Sequence, residues 1–249
     1  MSVRNKYYFV ADVHLGAAVK DKREYERKFL SFLDDISSDA KELYLLGDIF
    51  DFWYEYKYVI PRGYTRTLGR LAELVDEGVD VYFSPGNHDV WAYGYFEEEL
   101  GIKILDQPYE LDIAGKSFCI GHGDGLGKMD NGFKFVRWAF HNKFLQKLFS
   151  AIHPRWAFSW GYSWAHHSYK VKNDADHHYE IKLEETPLVK YLKKSGGKYD
   201  YYIFGHYHHP EVTMLPEGGK LFMLGDWMHN CEYAVFDGTS CALVPYNCL

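Results

Sequence analysis

Five short clusters of carboxylates, imidazoles and one amide follow one another along the first 208 residues of the chain: Asp12-Val13-His14, Gly47-Asp48-Ile49-Phe50-Asp51, Gly86-Asn87-His88-Asp89, Gly121-His122-Gly123-Asp124 and Gly205-His206-Tyr207-His208. Together they offer a mixed oxygen and nitrogen donor set, suited to manganese, iron or zinc rather than to calcium or magnesium alone. Asp12/His14 and His206/His208 are spaced i, i+2, which in an extended segment turns both side chains to one face. Seven ligands of this kind would crowd one ion; shared between two, with Asp48 common to both, they leave positions open for water and substrate. Each cluster alone reads as a turn, a helix cap or a satisfied polar pair. Five in succession, each directly behind a β-rich run, point to one metal centre.

Those β-rich runs are the elements that must position the clusters. Tyr7–Ala11, Leu43–Leu46, Val79–Phe83, Lys116–Gly121 and Tyr201–Phe204 are short and apolar, as buried strands are. Between the first three, Lys22 to Ile36 carries Tyr25, Phe29, Phe32, Leu33 and Ile36 at helical spacing, and Thr65 to Glu77 does the same with Leu68, Leu71, Leu74 and Val75 before Gly78. The alternation β-α-β-α-β predicts parallel strands with helices packed on them. In such sheets, sites form beyond the carboxyl ends of the strands. After Pro210 the pattern becomes strand-turn-strand, over Val212–Leu215, Leu221–Leu224, Tyr233–Phe236 and Ala242–Pro245.

The chain has 249 residues and a formal charge of −7, which argues against a nucleic-acid-coating protein. Residues 131–173 depart from that average: they hold no Asp or Glu and seven Lys or Arg, so this stretch carries +7 and the remainder −14. Trp138, Trp156, Trp160 and Trp164 fall in it, and Phe133, Val136, Phe140, Phe144 and Leu148 recur at helical spacing. The stretch reads as a helical insertion that covers an acyl chain or meets an anionic membrane surface. The apolar run near the start, Tyr7 to Ala11, is too short for a signal h-region or a membrane span. Cys119, Cys231, Cys241 and Cys248 form no C-x-x-C pair, so they read as thiols in a reducing cytoplasm. His141, His153, His166, His167, His177 and His178 show no metal spacing and read as surface or packing residues; His229, near Gly225-Asp226-Trp227, reads as a neighbour of the site.

The ordered clusters resemble the calcineurin-like metallophosphoesterase superfamily. The resemblance spans residues 12 to 208 and implies an α/β fold, a four-layer α/β/β/α sandwich, here one domain over 1–249 with a helical insertion (cap) at about 128–195. It implies two divalent metal ions, manganese with iron or zinc as alternatives. One would take Asp12, His14, Asp48 and His208; the other Asp48, Asn87, His122 and His206. With both ions and a hydroxide the site is about one unit positive, which favours a phosphate ester. His88 would donate to a phosphoryl oxygen or leaving group, with Asp51 or Asp89 fixing its tautomer. A narrower likeness, carried also by Phe52-Trp53, Gly123-Asp124-Gly125, His209-Pro210 and Leu224-Gly225-Asp226-Trp227, is to the UDP-2,3-diacylglucosamine hydrolase family. That family cleaves a lipid-linked UDP-sugar to lipid X and UMP in lipid A biosynthesis. The chain differs from better-known members at His88, where they carry arginine, and at Tyr207 and His209. The likeness implies a cytoplasmic enzyme, peripheral on the inner face of the inner membrane. Candidate substrate contacts are Asp124, as a group behind the ligands, and Lys143, Lys147, Arg155, Trp156 and Trp160. Two other functions fit the residues: a soluble nucleotide phosphodiesterase and a metal-free binding scaffold.

Overall fold

Strands β1 (Lys6–Val10), β2 (Ala40–Leu45) and β3 (Asp80–Phe83) alternate with helices α1 (Lys22–Ile36) and α2 (Thr65–Asp76), as the apolar spacing predicts. A computed structural model describes residues 4–176 and 182–246. The three strands pair in parallel, with β4 (Lys103–Ile104) beyond β3; β10 (Glu232–Phe236) and β11 (Cys241–Pro245) close the other edge, giving the order β11-β10-β1-β2-β3-β4. A second sheet runs β5-β6-β7-β9-β8, built from β5 (Tyr109–Ile113), β6 (Lys116–Gly121), β7 (Tyr201–Phe204), β8 (Glu211–Met214) and β9 (Lys220–Met223). Within it β6, β7 and β9 are parallel and the edge strands antiparallel.

The layers follow from the period of two along each strand. Tyr8, Val10, Leu43 and Leu45 turn outward to α1 and α2, where Phe29, Phe32, Leu33, Leu68, Leu71 and Leu74 meet them. Phe9, Tyr44 and Leu46 turn inward against Phe118, Ile120, Ile203 and Phe222 of the second sheet. The alternate residues of that sheet, Cys119, Tyr202, Phe204, Leu221 and Met223, pack on Leu188, Val189 and Leu192 of α7 (Pro187–Leu192). Four layers, helix, sheet, sheet and helix, result. All strand runs and both helices read from sequence are present, with ends within three residues of those read. The sequence reading passed over β4, β5, α7 and the short α3 (Tyr95–Glu98). β5 is an exposed edge strand, joined to β6 through Ala114 and Gly115 at φ +49° and +78°, the backbone of a tight hairpin.

Between β6 and β7 lie α4 (Asn131–His141), α5 (Lys143–Ser150) and α6 (Pro154–Asp176). The sequence reading treats Phe133 to Leu148 as one amphipathic stripe; the structure breaks it at Asn142. That residue is extended (φ −74°, ψ 111°), and its side chain accepts from Phe144 N and Leu145 N to start α5. The new helix axis leaves Phe144 72% and Leu148 60% exposed, while Phe140 packs inward. His177 and His178, Cys248 and the side chains of His166, His167, Lys170 and Lys172 lie outside the described residues.

Candidate metal centre

All five clusters sit just past strand ends, and their backbones lock together. Asp12 N donates to Gly47 O (3.0 Å), His14 N to Asp48 O (2.9 Å) and Leu15 N to Ile49 O (2.8 Å). The i, i+2 pairs converge, but not by strand alternation. Asp12, His14, Asp48, His206 and His208 all take the left-handed backbone, at φ +54°, +49°, +52°, +74° and +53°. This corrects the extended reading. A side chain with that backbone is aimed by a turn rather than by a pleat, and such strain persists where the surroundings fix it. Two glycines make the approach possible: a Cβ on Gly86 would fall on the Asp48 carboxylate, and one on Gly205 on that of Asp12.

The side chains meet in a small, buried volume. Asp12 Oδ1 lies 3.1 Å from His208 Nε2, and His208 Nε2 lies 3.2 Å from His14 Nε2. His122 Nε2 is 3.2 Å from Asp48 Oδ2, and His206 stacks edge-on to His122 with ring centres 5.1 Å apart. Asp12, His14 and His208 bring donor atoms within 4.8 Å of one another, as do Asp12, Asp48 and His122. Burial would raise the Asp12 carboxyl, yet His208 and His122 hold it down to about 2. Asp48 is likewise held low by His122 and His88 against its burial. Burial would lower the His122 imidazole, but Asp48 beside it raises it to about 10. Two buried carboxylates thus create a field that calls for positive charge. Asn87 Oδ1 is buried with no hydrogen-bond partner among the described residues, and Asp12 Oδ1 and His122 Nε2 are buried with only ion-pair neighbours, His208 and Asp48, and no hydrogen bond. Orphaned oxygen and nitrogen atoms on imidazole, carboxylate and amide groups are what a divalent cation satisfies.

The ring tautomers follow from carbonyl partners, which only accept. His122 Nδ1–H donates to Leu46 O (3.0 Å), leaving Nε2 for the cluster. His88 Nδ1–H donates to Asp51 O (2.8 Å), leaving Nε2 on the side of Asp48, 4.0 Å from its Oδ2. The Asp51 carboxylate faces His14 Nδ1 at 3.3 Å instead.

Beside the cluster opens a cavity of about 390 Å³. Asp51, Asn87 and His88 form one wall; Phe133, Val136, Phe140 and Trp164 of α4 and α6 form another. The helices are hung on an aromatic loop. Tyr54 OH donates to Gln146 O (3.1 Å), Tyr56 OH to Ile152 O (2.9 Å) and Trp91 Nε1 to Phe140 O (2.9 Å). Gly161 of α6 lies flat on the Phe52 ring, where a Cβ would collide.

A family model for calcineurin-like phosphoesterases matches residues 6–210. The chain belongs to that family. It is also 36% identical, over 97% of both chains, to a UDP-2,3-diacylglucosamine hydrolase of Porphyromonas gingivalis. A protein of the same name from Shewanella pealeana is 30% identical over 88% of this chain and 89% of its own. A third, from Actinobacillus succinogenes, is 27% identical over 90% and 92%.

Within this calcineurin-like phosphoesterase, the predicted catalytic residues divide. Among the described residues, the Asp89 carboxylate makes no hydrogen bond to the His88 ring. Its Oδ1 accepts from Gly86 N (2.7 Å) and Asp48 N (3.2 Å), and its Oδ2 from Ile49 N (2.8 Å) and Phe50 N (3.3 Å). It is the buckle of the loop that presents Asp48. Asp51 does reach His88, through its main chain. Asp124 is buried and paired with Arg137 of α4. Trp160 lines a second, apolar cavity of about 300 Å³ with Phe149 and Trp164. Lys143, Lys147, Arg155 and Trp156 line neither cavity and face outward. His141 is exposed, as a surface or packing residue can be, and it also lines the larger cavity. His229 contacts Asp226, which stands 3.6 Å from His208 Nδ1. Arg137, Gln107, Tyr54, Tyr56 and Trp91 escaped the sequence reading as site residues; the aromatic run Phe52-Trp53-Tyr54-Glu55-Tyr56 directly after Asp51 was the available signal.

Proposed function

We propose that this phosphoesterase cleaves the pyrophosphate bond of UDP-2,3-diacylglucosamine, giving UMP and 2,3-diacylglucosamine 1-phosphate. The observation that carries the reading is the shared cavity. One wall is Asp51, Asn87 and His88 at the edge of the carboxylate and imidazole cluster, and the other is aromatic and aliphatic, which suits an ester that is phosphate at one end and acyl at the other. The three relatives named UDP-2,3-diacylglucosamine hydrolase support it. We read the chain as one domain, 1–249, with an insertion at about 128–195 as the acyl-covering cap.

Asp12, His14, Asp48 and His208 would hold one divalent cation, and Asp48, Asn87, His122 and His206 the other, manganese with iron or zinc as alternatives. Bound there, the pair supplies the positive charge that activates water and offsets developing phosphoryl charge. The chain's own groups do the rest. Asp51 accepts from His14 Nδ1–H and fixes that ring. The Asp51 carbonyl keeps the His88 proton on Nδ1, so Nε2 is the nitrogen that takes up and returns a proton at the phosphoryl or leaving oxygen. Phe133, Val136, Phe140 and Trp164 shut water out beside the reacting ester. No helix among the described residues is long and apolar enough to cross a membrane. The outward face of the cap, with Lys143, Lys147, Arg155 and Trp156, would rest on the anionic inner face of the inner membrane from the cytoplasm.

The test compares UDP-2,3-diacylglucosamine with bis(p-nitrophenyl) phosphate on the manganese-loaded protein. Release of UMP and the sugar phosphate is the expected result. Hydrolysis of the small diester alone would overturn the lipid reading and leave a nucleotide or general phosphodiesterase.

A further inference from the structure

Among the described residues, Arg137 is the one lysine or arginine lining the cavity beside the carboxylate and imidazole cluster. Its placement is built, not incidental. Nη1 donates to Asp124 Oδ2, and the other oxygen of that buried carboxylate accepts from Gln107 Nε2. Gln107 is fixed in turn, its Oε1 accepting from Gly123 N at 2.7 Å. Beneath the guanidinium lies Gly125, at φ +73°, where a Cβ would stand 2.5 Å from Arg137 Cζ. The left-handed backbone there favours glycine, and its lack of a Cβ leaves the flat group its room. A guanidinium carries five N–H donors in a rigid fork. Here one donor is spent on Asp124, and the rest have no partner among the described residues, with the side chain 29% exposed. The motif Gly121-His122-Gly123-Asp124-Gly125 therefore does two things. His122 joins the cation cluster, and the next three residues seat a planar cation a short way along the cavity.

A diphosphate diester presents two phosphorus atoms. The cluster of Asp12, His14, Asp48, Asn87, His122, His206 and His208, with the cations it would hold, and His88 would attend the one under attack. The other keeps the bridging oxygen when the P–O bond breaks and gains a negative charge as it leaves. That second phosphate needs a donor of its own, beside the first and before the apolar wall. We propose that Arg137 binds it, with Asp124, Gln107 and Gly125 as its seat. A planar fork matches phosphate oxygens in a way an ammonium does not. The proposal rests on the diphosphate reading above. It makes Arg137 the residue that separates diphosphate diesters from esters with a single phosphorus atom.

The experiment measures kcat/KM of the manganese-loaded wild type, Arg137→Gln and Arg137→Lys on UDP-2,3-diacylglucosamine, on a dinucleoside diphosphate and on bis(p-nitrophenyl) phosphate. The readout is the ratio of diphosphate to single-phosphorus activity. In Arg137→Gln this ratio should fall by about 30-fold or more, as expected when a charge-assisted contact to a phosphate is lost. Lysine keeps the charge without the fork, so Arg137→Lys should lose about 5-fold. The inhibition constant of 2,3-diacylglucosamine 1-phosphate should rise in step. A ratio within about 3-fold of wild type in both variants overturns the proposal, since Arg137 then only ties the cap to Asp124. If Arg137→Gln melts early, Arg137→Lys decides by the same ratio. A wild type that cleaves the dinucleoside diphosphate but not the lipid substrate refutes the lipid reading, while the ratio still decides Arg137. Failure on every diphosphate ends both.

Discussion

His88 carries its proton on Nδ1 because the Asp51 carbonyl can only accept, so the nitrogen turned to the cluster is unprotonated in the neutral ring. That makes replacement by alanine informative. His88→Ala should lower kcat by roughly two to four orders of magnitude, the range for lost acid–base or electrostatic help. Its metal content should match wild type. Loss of metal would make His88 a ligand, and an unchanged rate would make it structural. Asp48 makes the opposite prediction. It is the carboxylate at the centre, near His122, His14 and His88. Asp48→Ala should lose at least one of two bound cations by elemental analysis along with all activity. Two metals per chain in that variant would remove Asp48 from the shared position. At this scale the sequence was most legible, since donor type and order survive without coordinates. It could not reveal the left-handed backbone at five of the seven proposed donors, because nothing in the residue sequence marks a strained Asp or His. Nor could it separate Asp51 from Asp89, two carboxylates of equal chemistry that burial and backbone donors send to different work.

The strands and two helices of the sandwich were legible because each buries one stripe or alternates between two cores, and that period is written in the chain. The cap was less so. A run of helical spacing does not say where an axis turns, and Asn142 turns it by capping a new helix. What fixes the cap is also not periodic. Three aromatic donors reach main-chain carbonyls at Phe140, Gln146 and Ile152, and Gly161 lets α6 lie against Phe52. Crowding that contact should lift these helices from the sandwich. Gly161→Leu should speed tryptic cleavage after Lys143 and Lys147 by about tenfold or more, as local opening becomes easier. The melting transition of the two-sheet core should persist. A cleavage rate equal to wild type would show that the cap is not seated through this contact.

Across the whole molecule, charge is divided: residues 131–173 carry +7 and the remainder −14. The divided surface is also where large apolar side chains face outward. Trp138, Phe144, Leu148, Trp156 and Trp160 are each more than half exposed, all on α4 to α6. Cavity lining accounts for Trp160 but not for Trp156, and for none of Lys143, Lys147 and Arg155. A basic stretch with outward tryptophans costs solubility unless something covers it, and the anionic bilayer proposed above would cover both features at once. Replacing Lys143, Lys147 and Arg155 together with Glu should weaken binding to vesicles rich in anionic lipid by about 1 kcal/mol per charge or more. Binding to neutral vesicles should change little. Trp156 and Trp160 replaced by Ser should raise KM for the diacylated substrate more than for bis(p-nitrophenyl) phosphate, since the small ester needs only the cluster. Parallel loss on both substrates would mean that the cap merely holds the fold together. No loss on either, with vesicle binding intact, would leave the outward aromatics without a membrane role.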